Sequence, residues 1–153
     1  MHTPEKISLP CQPRVVALLL NELPEQAGHV PNLRRLTQLF GADPVLAAWL
    51  LCHANSGVYQ LSGSITSVAQ AVALLGVPQL RSLVRKAQTS LTGRVQGMEQ
   101  LATISQASAR LARSLADLLA LESGTVHAAA LLHGLGHLDR KSTRLNSSHR
   151  ALS

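Results

Sequence analysis

The chain has 153 residues, 46% of them hydrophobic and 14% charged, which fits one folded domain and excludes a disordered chain. Aromatic residues make up 2%, so the core must consist of Leu, Ala and Val, a composition that favours helices over sheets. The formal net charge is +6, but residues 1–138 hold ten Lys or Arg against seven Asp or Glu, and this small excess does not indicate a nucleic-acid partner.

Two amphipathic helices are predicted before residue 42. Pro13 suits the first turn of a helix, because the N–H that proline lacks is not needed there, and Pro24 marks where that helix has ended. The apolar face of this helix carries Val16, Leu19, Leu20 and Leu23. A second helix follows the turn-prone residues 24–31 and ends at Gly41, a typical C-terminal cap. Its apolar residues are Leu33, Leu36, Leu39 and Phe40.

A third, central helix is predicted to begin at Asp43 and Pro44. The carboxylate can accept hydrogen bonds from free N–H groups, and proline fixes φ at the first helical position. Residues 45–52 are apolar all round, which predicts a helix through the middle of the domain with Trp49 and Cys52 in packing positions.

Two more helices follow a loop that runs to about residue 65. The fourth is capped by Thr66 or Ser67 and ends at Gly76. Its apolar stripe consists of Val68, Ala71, Val72 and Leu75. The fifth begins at Pro78 and ends near residue 92. Its buried face is predicted to be Leu80, Leu83, Val84, Ala87 and Leu91, with Arg81, Arg85, Lys86 and Gln88 facing outward.

The last two predicted helices cover residues 97–121 and a segment that begins near Thr125. In the longer helix, the residues that recur at helical spacing are Met98, Leu101, Ile104, Ser108, Leu111, Leu115 and Leu118. The final helix contains His127 and His133 and is weakened by Gly134 and Gly136. No segment has strand periodicity, so we expect an all-α, single-domain bundle of about seven helices over residues 1–138.

Residues 139–153 have no apolar face and are rich in Ser and Arg, which predicts a disordered tail. The run 141–149 also resembles a translated sequencing adaptor. Residues 139–153 are therefore a candidate non-native tail. We expect the helical domain to be incomplete at its C-terminus.

Two helices joined at Gly76 suggest a helix-turn-helix, but the register argues against it. With Gly76 as the turn residue, the inward positions six and nine residues later are Ser82 and Arg85, where a DNA-reading motif requires apolar side chains. A nucleic-acid partner is therefore not expected, although a nucleic-acid-binding helical domain is kept as a second alternative.

The segment 130–137, Ala-Leu-Leu-His-Gly-Leu-Gly-His, resembles the Leu-Leu-His-Asp element of metal-dependent HD-type phosphohydrolases. Those enzymes hold two metals through a first His, a His-Asp pair and a distant Asp. His133 matches the His of the pair, but Gly134 replaces its Asp, and no histidine lies between His53 and His127. We predict no metal, no other cofactor and no catalytic residues, with His133 as a vestigial position.

The ordered set of segments over residues 7–138 resembles the HDOD domain, the HD-related output domain of bacterial signalling proteins. The resemblance rests on Leu9-Pro10, Asp43-Pro44, Leu50-Leu51, Ala54-Asn55-Ser56, Tyr59, Ile65, 71–76, Leu80-Arg81 and 131–136. It implies a helical regulatory or scaffolding domain that lacks the full metal-ligand set. In that family further helices usually follow the HD-like element, so their absence would leave an apolar face exposed or covered by a partner.

The candidate interaction surface consists of Asn55, Ser56, Tyr59, Arg81 and Arg85. The first three follow the central helix and could present hydrogen-bonding groups, although Asn and Ser at a helix end more often bond to their own backbone. The two arginines could contact an anionic partner, but a solvated helix face explains them more simply.

We therefore predict a non-catalytic bacterial signalling module that binds a partner protein or an attached signalling domain, with a nucleotide as a further candidate ligand. The alternative is a degenerate HD-type phosphohydrolase. The longest apolar run has eight residues against the roughly 20 that a membrane span needs, and no signal peptide is evident. The chain has only two cysteines, Cys11 and Cys52, and they lie far apart in the sequence. Together these features predict a cytoplasmic protein without a membrane partner.

Overall fold

The computed structural model describes residues 11–25, 30–57, 63–89 and 97–136. Within these ranges the chain is all-α, as predicted, and contains no strand. The helices are α1 (Pro13–Glu22), α2 (Leu33–Gly41), α3 (Pro44–Ala54), α4 (Val68–Thr89), α5 (Met98–Leu118) and α6 (Ser123–His133). Tyr59 and the predicted tail 139–153 lie outside the described residues.

The predicted fourth and fifth helices form one bent element, α4. At Gly76 φ is 72° and ψ is 170°, a conformation that residues with a side chain rarely adopt, and Pro78 follows two positions later. Both arms bury the apolar stripes that the sequence predicts, apart from Leu91, which lies outside the described residues. The bend explains why six helices are seen where about seven were expected.

Asp43 caps the central helix as predicted and also connects it to α1. One carboxylate oxygen accepts hydrogen bonds from the N–H groups of Val45 (2.8 Å) and Leu46 (3.1 Å), and the other accepts one from the N–H of Gln12 (2.5 Å). The side chain is buried. Burial raises the pKa of Asp43, and these three hydrogen bonds act in the opposite direction.

Two details of the predicted core and one predicted helix cap are wrong. Cys52 is exposed although it was expected to pack, and Leu33 at the start of α2 is 51% exposed. Gly41 is the last residue of α2 and not its cap, since Ala42 takes that position with right-handed backbone angles. A helix that is apolar on all sides carries no sequence signal for the side that its neighbours leave uncovered, which explains the error at Cys52.

The pair α5 and α6 forms one end of the bundle. The buried residues of α5 are small along most of its length, namely Met98, Ala102, Ser105, Ala109 and Ala116. Small side chains let two helix backbones approach closely, and α6 packs mainly on α5. This close pairing determines the geometry at the HD-like position.

Candidate functional site

Gly134 follows α6 directly and faces α5. Its backbone angles are those of a right-handed helix (φ −63°, ψ −26°), so no unusual conformation requires glycine here. A Cβ atom built on Gly134 would lie 2.8 Å from Cδ1 of Leu101 and 2.9 Å from Oγ of Ser105. Non-bonded carbon atoms pack at about 3.5–4.0 Å, so the ends of these two α5 side chains would have to shift to admit a side chain here.

Ser105 faces this position from α5. It is 3% exposed, and its hydroxyl oxygen has no hydrogen-bond partner in the part of the chain that the structure describes. One hydroxyl cannot replace the imidazole and carboxylate ligands of a dinuclear centre. Over residues 11–25, 30–57, 63–89 and 97–136, no three His, Cys, Asp or Glu side chains are grouped to hold a metal. The residues around His133 and Gly134 therefore do not fit the metal pair of HD-type enzymes.

Asn55 and Ser56 bond to their own chain. The side-chain amide of Asn55 donates to the carbonyl oxygens of Leu51 and Ile65, both at 2.8 Å, and its oxygen accepts from the N–H of Ile65 at 2.8 Å. The Ser56 hydroxyl donates to the carbonyl oxygen of His53 at 2.7 Å. These contacts fix the start of the segment that leads into α4. The third member of this predicted group, Tyr59, lies outside the described residues.

The two arginines of the candidate surface are engaged within the chain. The guanidinium of Arg81 donates to the carbonyl oxygens of Leu23 (3.1 Å) and Pro24, which ties α4 to the end of α1. Arg85 forms an ion pair with Glu25. Both guanidinium groups have partners within the chain, and these contacts favour a structural role for the pair.

An apolar face of α5 is uncovered in the described structure. It consists of Ile104, Ser108, Leu111, Leu115 and Leu118, and is called the α5 face below. Its four large side chains are 64%, 69%, 59% and 82% exposed in that order. The residues follow one another at intervals of four, three, four and three, so they form one straight stripe. Helical periodicity identified these residues, but only packing shows which side of α5 lacks a neighbour.

Comparison with known proteins assigns the fold to a family. The HDOD domain matches residues 9–147. The crystal structure of the MmoQ response regulator from Methylococcus capsulatus strain Bath is similar, with a TM-score of 0.71 and 25% sequence identity over 86% of this chain. The chain spans about half, 54%, of that protein. No curated protein matches significantly.

No described helix is both long and apolar enough to cross a bilayer. The all-helical fold, the HD-like segment with glycine beside His133, and a family match over most of the sequence agree with one another. The chain belongs to the HDOD domain family.

Proposed function

We propose that this chain is a non-catalytic signal-transduction module that binds a partner protein, and that the partner contributes an amphipathic helix packed along the α5 face. Membership of the HDOD family and the fold shared with a response regulator support a signalling role. The observation that carries the binding mode is the uncovered apolar stripe on α5.

The spacing of the α5 face indicates what covers it. Alternating intervals of three and four residues are typical of helices that pack side by side at about 20°. The stripe from Ile104 to Leu118 is about 21 Å long at 1.5 Å per residue, which matches four turns of a second helix. Burying a Leu or Ile side chain contributes about 1.5–3 kcal/mol when it starts fully exposed, so four of them make a substantial contact.

The HD-like position supports binding in place of hydrolysis. Restoring the missing ligand would require a carboxylate where the ends of the Leu101 and Ser105 side chains must move to admit a Cβ atom. A dinuclear hydrolase needs a bridging carboxylate to hold its metals and activate water. Purified chain is therefore expected to hydrolyse neither nucleotides nor cyclic dinucleotides when Mn²⁺ is added.

Site-specific photo-crosslinking in the native host tests the proposed contact. A photoreactive amino acid at position 111 is expected to give one discrete adduct with a different protein. The same label at Arg14, an exposed residue of α1, should give none. Adding Leu115→Glu should abolish the adduct at position 111, because it places a charge in the centre of an apolar helix contact.

The side chain of Leu115 is 59% exposed, so Leu115→Glu should leave the melting temperature nearly unchanged and lose the adduct by loss of contact alone. The proposal is wrong if position 111 gives no adduct, or if Leu115→Glu leaves the adduct intact. An adduct between two copies of this chain would also overturn it, since the face would then be a homodimer interface. Mn²⁺-dependent hydrolysis that His133→Ala abolishes would overturn the non-catalytic part.

A further inference from the structure

A cavity of about 300 Å³ lies between α2, the N-terminus of α4, α5 and α6. The α5 residues that line it, Gln106, Arg110 and Arg113, project from a different side of α5 than the α5 face, because successive helix residues are rotated by about 100°. The cavity is also two helical turns from Gly134, since α6 contributes His127 to its wall. The cavity is therefore separate from the α5 face and from the HD-like position at Gly134.

The charges on the cavity wall are positive and largely uncompensated. The guanidinium of Arg110 has no ion pair or hydrogen bond to any described residue. Arg113 lies close enough to Glu122 to help lower the pKa of that carboxyl, but hydrogen bonds from Thr125 dominate the shift. The Glu122 oxygens already accept hydrogen bonds from the N–H groups of Gly124 (3.1 Å) and Thr125 (2.5 Å). Two guanidinium groups thus line the cavity, and the carboxylate near Arg113, which is not part of the cavity wall, is otherwise engaged.

His127 lies in the same positively charged environment. Its pKa is lowered, mainly by burial and further by the positive charge of Arg113. No carboxylate among the described residues lines the cavity to balance these charges. An anion bound between the arginines would offset the positive charge of Arg113, which otherwise disfavours protonation of His127.

The first turn of α4 adds free N–H donors. The Ser67 hydroxyl accepts from the N–H of Gln70 (3.3 Å), and the Gln70 side chain accepts from the N–H of Ser67 (3.3 Å). The N–H groups of Val68 and Ala69 have no acceptor among the described residues, and both residues line the cavity. Free N–H groups and the positive end of the helix dipole at an N-terminus favour bound anions.

We infer that this cavity binds the phosphate group of a small phosphorylated ligand of about mononucleotide size, with Arg110 and Arg113 as its charged contacts. Guanidinium groups match phosphate oxygens through paired N–H donors. A volume of about 300 Å³ is at the lower end for small-molecule sites, which argues for a compact ligand. The inference deepens the proposed function, since it names a regulatory ligand that the module binds without hydrolysing.

Isothermal titration with defined probes tests this site. The probes are AMP, GMP, adenosine and inorganic phosphate, in a phosphate-free buffer at low ionic strength. AMP or GMP is expected to bind, inorganic phosphate to bind more weakly, and adenosine to give no signal. Arg110→Gln and Arg113→Gln are each expected to weaken mononucleotide binding about tenfold or more, which corresponds to about 1.4 kcal/mol.

The matched control is Arg14→Gln, which removes the same charge from an exposed position on α1 and should leave the affinity unchanged. Arg110 and Arg113 are exposed, so both variants should fold, and circular dichroism confirms this. Equal binding of AMP and adenosine, or unchanged affinity in both cavity variants, overturns the inference. So does the absence of heat from every phosphate-bearing probe at millimolar concentration.

The two proposals fail separately. Arg110→Gln should leave the photo-adduct at position 111 intact, whereas Leu115→Glu should leave mononucleotide affinity intact. Loss of the phosphate site therefore does not remove the partner contact, and failure of the partner contact does not remove the phosphate site.

Discussion

Replacing Gly134 with Asp restores the His-Asp pair of HD-type enzymes in sequence, and we expect it to destabilise the protein without creating a metal site. The new Cβ would lie 2.8 Å from Cδ1 of Leu101 and 2.9 Å from Oγ of Ser105, so both side chains must move. Such overpacking costs about 1–3 kcal/mol. The Ser105 hydroxyl lies beside the new side chain and can donate to it, and an incompletely hydrogen-bonded carboxylate adds about 1–3 kcal/mol.

The combined cost is about 2–6 kcal/mol, which corresponds to a decrease in melting temperature of about 4–24 °C for a domain of this size. Circular dichroism melts and urea titrations measure the loss. Metal content after incubation with Mn²⁺ and desalting measures any gain of binding. Gly134→Ala is the matched control, because it adds the Cβ without the charge and should cost less.

A second substitution separates crowding from charge. Leu101→Ala removes the atom closest to the new Cβ, so combining it with Gly134→Asp should recover part of the lost stability beyond additivity. The interpretation of Gly134 as a closed position is refuted if Gly134→Asp is as stable as the parent chain. Stoichiometric Mn²⁺ bound by that variant would refute it as well.

Three further predictions follow from burial and hydrogen bonding. Asp43→Ala should cost about 2–4 kcal/mol in denaturant titrations, because three N–H groups lose their acceptor, and Asp43→Asn should cost less because it keeps one oxygen. Leu131→Ala should cost about 2–5 kcal/mol and Leu118→Ala less than about 0.5 kcal/mol, since the first side chain is fully buried and the second is 82% exposed; equal costs would mean that the α5 face is covered. Burial, and then the charge of Arg113, lower the pKa of His127, so the unfolded chain binds a proton at this histidine more readily than the folded chain does. Stability should therefore fall as the pH drops below about 6.5. The substitution His127→Gln should flatten that decline in melts across pH 5–8.

Local chemistry made much of the fold predictable from sequence. Asp43 and Pro44 start α3 because a carboxylate acceptor and a fixed φ act within one turn, whatever the rest of the chain does. The apolar stripes on both arms of α4 were likewise predicted, as was the break at Gly76. The missing Asp beside His133 could also be read directly from the residues.

The tertiary structure decided which of these features face one another. No sequence signal showed that α5 fills the space beside Gly134, that Arg81 is held by the end of α1, or that Cys52 is exposed. The cavity with Arg110 and His127 joins α5 and α6 with α2 and α4, which are distant in sequence. Helical periodicity specifies a face within each element, whereas close packing between elements determines whether that face is buried, uncovered or part of a site.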